Sequence, residues 1–599
     1  MNVFRRYLAY FAREKRRLLI GFLCLVPSAF IDLQLPWVVR GALDKLGTEP
    51  VESFLLPTLA LYLGLAALKG VFRFGMRWFL VTSSRQVEAN LRNDLFAHLE
   101  SLSFPYFNRT KTGDLISRAT QDVEAVRMFL GPGSMYIGDA LLRIPMALIL
   151  LSQVQPAMLV AIGISLAVLS VSVRKLTPKL HAVSEAQQKA VGAMSDRANE
   201  VFGGVRVVKS FAREEAAERS FDEVSARYRS VSLDAISARA LSNVFFSGAK
   251  DVTLLILFAT GGVFYYLGKA TVGDLYLFAD YTVRLYWPVF VVGWMVGMYP
   301  RARAAAQRLN EVFDTKPEIV DSPRASAPAE IRGAIEAKNL TFSYAPDRPP
   351  VLKNLSFKIA PGETVALVGR TGSGKSTLAM LLGRFFPVPP GMLFVDGADV
   401  NDLAIRSLRG AIGYVPQDHF LFSDTIAENI AFSENGPADA QRVARAAADA
   451  CIEDDVSVFP KRFETEIGER GVTLSGGQRQ RVSIARALYS DPRILVLDDC
   501  LSAVDSSTEE RLLGQLQDAA RGRTTLLIAH RLSTVKHAHR ILLLEDGGVV
   551  EEGSHGELLA RKGRYAQLWQ RQQLEERLAH DGEPLQAETA VARNGSADP

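Results

Sequence analysis

Six apolar runs, each about as long as a membrane crossing, restrict the first half of the chain more than any other feature. They cover roughly Leu18 to Val39, Phe54 to Thr82, Met128 to Ser152, Pro156 to Val173, Leu241 to Gly268 and Leu275 to Tyr299. A bilayer core takes about 20 helical residues per crossing, and inside it each backbone polar group must be satisfied within its own segment, which favours helices. The connections after the first, third and fifth runs ("DKLGTEPVES", "QVQ", "KATVGD") are short and poor in basic residues. The N-terminus and the stretches 83–127 and 174–240 are long, polar and rich in Arg and Lys. Positive residues stay inside, so the sequence predicts a multi-pass protein with both termini and both long segments in the cytoplasm. The start, "MNVFRRYLAYFAREKRR", is basic and amphipathic and leads into an apolar run too long for a signal-peptide core. It is expected to be retained and to lie on the cytosolic membrane face.

The two long polar segments have helical composition and few prolines. Helices that continue out of the membrane at about 1.5 Å per residue make each segment a hairpin with a turn at its far tip. The first tip is expected in "SFPYFNRTKTGDL" (103–115), the second either around Gln188 to Asp196 or in "FGGVRVVKSF" (202–211). Charges within the spans are costly and usually face protein or water. Lys69, Arg73 and Arg77 recur every four residues, as do Asp139 with Arg143 and Asp280 with Arg284, while Asp32, Lys250 and Asp251 stand elsewhere. The slight basic excess suggests a water-filled cavity for an anionic or amphipathic cargo, lined by Lys69, Arg73, Arg77, Arg143, Asp280 and Arg284. The structural alternative is that these charges pair with each other or reach the headgroup zone.

A chain of 599 residues is too long for one core. The run "TKPEIVDSPRASAPAE" (315–330) has linker composition, and beyond it short β-rich runs alternate with helical stretches, the mark of an α/β domain. The expected organisation is a six-helix membrane domain over 1–314, a linker over 315–331, an α/β domain over 332–576 and a polar, disordered tail over 577–599. The net charge of +4 is not gathered on one face, which argues against nucleic acid as a partner. Three scattered cysteines, Cys24, Cys451 and Cys500, imply no disulfide framework, as suits a cytosolic second half.

The motif with the most specific chemistry is "GRTGSGKST", Gly369 to Thr377, directly after the strand-like "ETVALV". It fits G-x-x-x-x-G-K-[ST] between a strand and a helix, the context of a phosphate-binding loop. Gly372 and Gly374 let backbone amides turn toward phosphate, Lys375 can reach the terminal phosphates, and Ser376 can ligate Mg²⁺. Thr371, Ser373 and Thr377 complete the candidate nucleotide-binding set in this loop. Further on, "ILVLDD" is a buried strand that delivers Asp498 and Asp499 to its C-terminal end.

"LSGGQRQRVSIARAL" (474–488) is similar to the signature of ATP-binding cassette (ABC) ATPases, and "YVPQD", "TEIGERG", "SAVD" and "LLIAHRLS" surround it in the matching order. Behind six spans, with "YFNRTKTGDLISR" and "VVKSFAREE" in the first half, the chain resembles a half-transporter of the ABC exporter type over roughly residues 5–575. The resemblance implies a P-loop α/β ATPase fused to an all-α membrane domain, with ATP and Mg²⁺ as cofactors. It implies that Tyr344 stacks on adenine and that Gln417 touches Mg²⁺ or water. Leu474, Ser475, Gly476, Gly477 and Gln478 would face a nucleotide held by a second chain, Ser475, Gly476 and Gly477 meeting its γ-phosphate. His530 would contact the γ-phosphate, and residues 103–114 and a portion of 190–211 would carry coupling helices.

Asp498 takes the magnesium-associated position of that family. Asp499 takes the place of the glutamate that serves as base for the attacking water, and there this sequence departs from the pattern. Aspartate is one methylene shorter, and a misplacement of about 1 Å can cost on the order of 100-fold. The chain therefore resembles the degenerate subunit of heterodimeric bacterial ABC exporters, its own site slow and its intact signature completing a competent site on a partner. A homodimeric exporter or lipid flippase with two slow sites, and a non-catalytic ATP-binding subunit, are the alternatives. The cargo class is drug, peptide or lipid, and the expected location is the bacterial cytoplasmic membrane.

Overall fold

The structure, a computed structural model, describes residues 2–581 except 47, 329, 435, 469–473, 501–505 and 530. The chain divides into two compact units, one of Met1–Ser101 with Thr110–Lys316 and one of Leu102–Arg109 with Pro317–Pro599.

Among the described residues, the helices make up all the regular elements of the first unit. A short α1 (Arg5–Arg13) precedes α2 (Lys15–Lys45) and α3 (Val51–Ser101), and the chain then gives α4 (Phe104–Arg109) to the second unit. It returns with α5 (Thr112–Ser117), α6 (Val123–Leu130) and α7 (Pro132–Ser152), followed by α8 (Pro156–Gly203), α9 (Val205–Ser210), α10 (Glu214–Tyr266) and α11 (Val272–Asp314). Helix α3 has 51 residues, a rod of about 75 Å against a hydrocarbon core of about 30 Å. Such rods must extend well beyond the bilayer. Among the described residues, the segments Lys15–Lys45, Val51–Ser101, Thr112–Ser152 and Glu214–Tyr266 are long and apolar enough to cross a membrane. Of the other two predicted spans, the one in α11 carries Asp280 and Arg284 in mid-run, which lowers its hydropathy.

Two expectations are refined. The second turn falls at Gly204 and Ala212, on either side of α9, and not at Gln188 to Asp196, which lies inside α8. Gly203 and Gly204 end the helix because glycine is a poor helix former. Helix α1 buries Tyr7, Tyr10 and Phe11 in one cluster with Leu91 and Leu95 of α3 and Ala302, Ala305, Ala306 and Leu309 of α11. Its apolar face is thus covered by protein.

The second unit holds two sheets. The strands are β1 (Ile335–Phe342), β2 (Leu352–Ile359), β3 (Thr364–Val368), β4 (Leu393–Val395), β5 (Ala398–Asp399), β6 (Ile412–Val415), β7 (Ile494–Asp498), β8 (Thr524–Ile528), β9 (Arg540–Glu545) and β10 (Gly548–Gly553). An antiparallel sheet runs β2-β1-β4-β5, and a six-stranded sheet runs β10-β9-β3-β8-β7-β6. In the latter every pairing but β10 with β9 is parallel. Every residue of β7 and β8 is buried, as expected for parallel strands covered on both faces. Strand β2 alternates buried and exposed residues, the pattern of a sheet with one wet face.

Candidate functional site

The parallel sheet sets the site. Strands β3 and β7 flank β8, so the loop after β3 and the carboxylates at the end of β7 meet at the C-terminal edge, where open α/β sheets bind ligands. The loop Gly369–Thr377 leads into the helix Lys375–Leu382. Gly374 has φ +99°, and a Cβ there would meet Leu352 Cδ2 at 2.5 Å. Gly369 has φ +155°, and its Cβ would meet the Leu544 carbonyl oxygen at 2.2 Å. Only glycine fits both places.

Lys375 is buried, and its ammonium donates to the carbonyls of Gly369 (2.8 Å) and Arg370 (2.9 Å) and more loosely to Ser373 Oγ (3.4 Å). Burial draws its pKa down, against the opposing pull of Asp498 and Asp499. Held on its own loop, the ammonium is placed to exchange carbonyls for phosphate oxygens, which pair with it as a full charge. Ser376 Oγ donates to Asp498 Oδ1 at 2.9 Å, and Tyr414 Oη donates to Asp498 Oδ2 at 3.4 Å. Burial pushes the Asp498 carboxyl upward, and the two hydrogen bonds from Ser376 and Tyr414 offset part of that rise. Thr377 is buried and its Oγ1 lies 2.8 Å from Tyr344 Oη, while Thr371 and Gly372 are exposed at the loop's crest.

Directly after β7 the chain enters the left-handed region at Asp499 (φ +47°), and its amide donates to the Ile528 carbonyl at 2.9 Å. Gln417 Nε2 donates to Asp499 Oδ2 at 3.4 Å. The two residues assigned to water and metal are therefore adjacent. His530 lies outside the described residues, as do "SAVD" and the second half of "TEIGERG".

The signature forms the start of the helix Gly476–Tyr489, capped by Ser475. Ser475 Oγ accepts from Gln478 N (3.2 Å) and Gln478 Oε1 accepts from Ser475 N (2.9 Å), a reciprocal capping box. The Ser475 hydroxyl proton and the first helical amides, at Gly476 and Gly477, remain for an anion. Asp455 holds this end in place through Gln478 Nε2 (2.9 Å) and Arg481 (2.7 Å). Leu474 is 6% exposed within the apolar core. Its side chain faces inward, which leaves its backbone for the expected nucleotide contact.

In the first unit, Lys69, Arg143, Asp280 and Arg284 come together and Arg73 and Arg77 do not join them. Buried Asp32 of α2 accepts from Lys69 of α3 (2.5 Å), Arg143 of α7 and Arg284 of α11 (2.6 Å). Arg143 also pairs with Asp139 (2.7 Å) and Arg284 with Asp280. Three acids thus balance three bases across four helices. Arg73 and Arg77 are exposed on α3. The mutual pairing weighed in the sequence accounts for the cluster, while the two outer arginines carry the basic excess.

Sequence reasoning missed Tyr414, although it lies in the quoted "YVPQD", because a tyrosine within a strand reads as core. It also missed the aromatic residues after the P-loop helix, whose partners are remote in sequence.

A nucleotide-type phosphate loop and paired carboxylates on a parallel sheet, joined on one chain to a bundle of membrane-length helices, define a membrane-bound P-loop ATPase. The profile of the ABC transporter transmembrane region matches residues 18–289, and that of the ABC transporter ATPase matches residues 352–502. A probable multidrug resistance ABC transporter ATP-binding/permease protein of Bacillus subtilis is 33% identical, covering 93% of this chain and 95% of its own. An ATP-dependent lipid A-core flippase of Photobacterium profundum is 34% identical, covering 95% and 97%. The structure of a bacterial Atm1-family ABC exporter with ATP bound aligns with TM-score 0.77 at 30% identity, over 93% of this chain and 98% of that one. The chain belongs to the ABC transporter family, as an exporter half-transporter whose multi-pass membrane domain is fused to an ATP-binding ATPase domain.

Proposed function

We propose that this chain is the degenerate-site subunit of a heterodimeric ATP-driven exporter in the bacterial cytoplasmic membrane, with both termini in the cytoplasm. Its cargo is an amphipathic drug, peptide or lipid moved out of the cytoplasm or inner leaflet; drug and lipid are classes named for its relatives. The observation that carries the reading is Asp499, which directly follows β7 where a glutamate base is expected, on a chain whose capped signature is intact. Asp499 sits in the left-handed region, which short aspartate tolerates better than most residues. The backbone is at ease with aspartate, and the cost falls on reach toward the attacking water.

Ser376 and Asp498 supply the hard oxygen donors that Mg²⁺ takes, with Gln417 beside them. When bound, the ion would neutralise charge on the terminal phosphates. Lys375 and the loop amides orient those phosphates, and Ser475, Gly476 and Gly477 close on the nucleotide of the partner chain. The domain bounds follow the sequence reading: membrane domain to 314, linker to 331, ATPase domain to 576.

ATP hydrolysis by the chain alone in lipid, against the chain co-expressed with a second ABC half-transporter, tests the assembly. Near-zero activity alone and robust activity together is the expected result, and Asp499→Glu should then raise the complex's rate. Equal activity alone would establish a homodimer in which aspartate suffices.

A further inference from the structure

A forked stack of aromatic rings runs from α4 to both walls of the nucleotide site, wholly inside the second unit. Phe104, the first residue of α4, lies 5.8 Å edge-on from Phe386 and 6.3 Å from Phe385. One branch continues from Phe386 to Tyr344, with ring centroids 5.0 Å apart, and ends in the 2.8 Å hydrogen bond from Tyr344 to Thr377 of the phosphate loop. The other passes from Phe385 to Tyr414 at 5.5 Å, edge to face, and ends in the bond from Tyr414 to Asp498.

The fork's base is fixed. Ser103 Oγ accepts from the amide of Ile319 at 2.9 Å. Arg384 donates to Leu403 O (3.0 Å) and Val320 O (3.2 Å), Arg409 donates to Gly383 O (3.0 Å) and Arg384 O (2.8 Å), and Arg409 covers the Phe385 ring. The turn that carries Phe385 and Phe386 directly follows the helix Lys375–Leu382. A helix of that length, about 12 Å, moves as one piece. A shift at the rings therefore reaches Lys375, Ser376 and Thr377 at its other end.

We propose that Phe104 is a positioning residue of the ATP site: through Phe386 and Tyr344 it sets the phosphate loop, and through Phe385 and Tyr414 it sets the carboxylate Asp498. The inference rests on ATP occupying this site. Edge-to-face aromatic pairs have preferred geometry, so each branch transmits orientation as well as contact. Neither branch passes through Gln417.

The test uses the full-length protein in lipid nanodiscs and the fluorescent analogue trinitrophenyl-ATP, titrated with EDTA and with Mg²⁺. Phe104 is 47% exposed, so Phe104→Ala opens no core cavity. The expected result is binding weakened about 3- to 10-fold, restored by Phe104→Tyr. In EDTA the effect of Phe104→Ala should be non-multiplicative with Tyr344→Phe, and the further loss seen only with Mg²⁺ should be non-multiplicative with Tyr414→Phe. A Phe104→Ala protein that binds as the unmodified chain does in both buffers, while its cargo transport falls, would reduce α4 to a mechanical contact and overturn the proposal. Effects that multiply independently would overturn it as well. Failure of the unmodified chain to bind the analogue would instead strike the ATP assignment on which it rests.

Discussion

Asp498 shows how one buried carboxylate carries opposite costs for stability and function. Burial raises its pKa in the folded chain, so the folded state takes the proton more readily than the unfolded one. The penalty for ionised Asp498 is therefore present at neutral pH and relieved as pH falls through the raised value. Asp498→Asn should raise the melting temperature of the metal-free, nucleotide-free protein at pH 7, and the gain should shrink as the buffer is acidified. Scanning fluorimetry in EDTA across the acid range checks this, and a gain that stays constant with pH would show that the charge is not its source. The adjacent Asp499 is half-buried and followed by Cys500, whose thiol burial pushes up to about 12. Burial thus holds that thiol in its neutral form.

At the scale of elements, the Asp32 cluster links four helices of the first unit. Lone charges in apolar surroundings are unfavourable, and removing one partner of a buried pair costs about 3–5 kcal/mol because the rest is left uncompensated. Asp32→Asn leaves Lys69, Arg143 and Arg284 against two carboxylates, a net excess of one positive charge. A loss of this size in denaturation of the lipid-reconstituted chain is expected, with partial recovery in the neutral pair Asp32→Asn, Lys69→Met. Wild-type stability for the single variant would show the cluster to be solvated. The N-terminus of α11 uses the same logic on a smaller scale. Thr271 and Asp274 form a capping box there, and Arg40 of α2 reaches Asp274 at 2.8 Å.

For the molecule as a whole, pairing of the inner charges leaves Arg73 and Arg77 as the two cations of the candidate cargo set that lie outside the Asp32 cluster. Replacing both with alanine should weaken binding of an anionic amphipathic cargo about tenfold or more and leave a neutral one unchanged, with the difference shrinking in high salt. Fluorescence or calorimetric titration of the reconstituted protein checks this, and equal affinity for both cargos would remove these residues from the cargo path.

Much of this protein was legible in its residues. Apolar runs of crossing length, the basic loops between them, the glycine-rich loop after a strand and the Asp-bearing strand β7 are each set by local chemistry, since bilayer thickness, backbone freedom at glycine and burial of parallel strands act on neighbours in the chain. The P-loop lysine and its serine followed from the spacing of their motif, and the place of Asp498 at the end of a buried strand from the run that precedes it. What required the tertiary structure were contacts between residues distant in sequence: Asp32 gathering cations from three other helices, Tyr414 and Ser376 sharing Asp498, and Phe104 reaching Phe385 and Phe386 across some 280 positions. Side chains so far apart meet only after the helices and sheets have packed, and no periodicity records which one faces which.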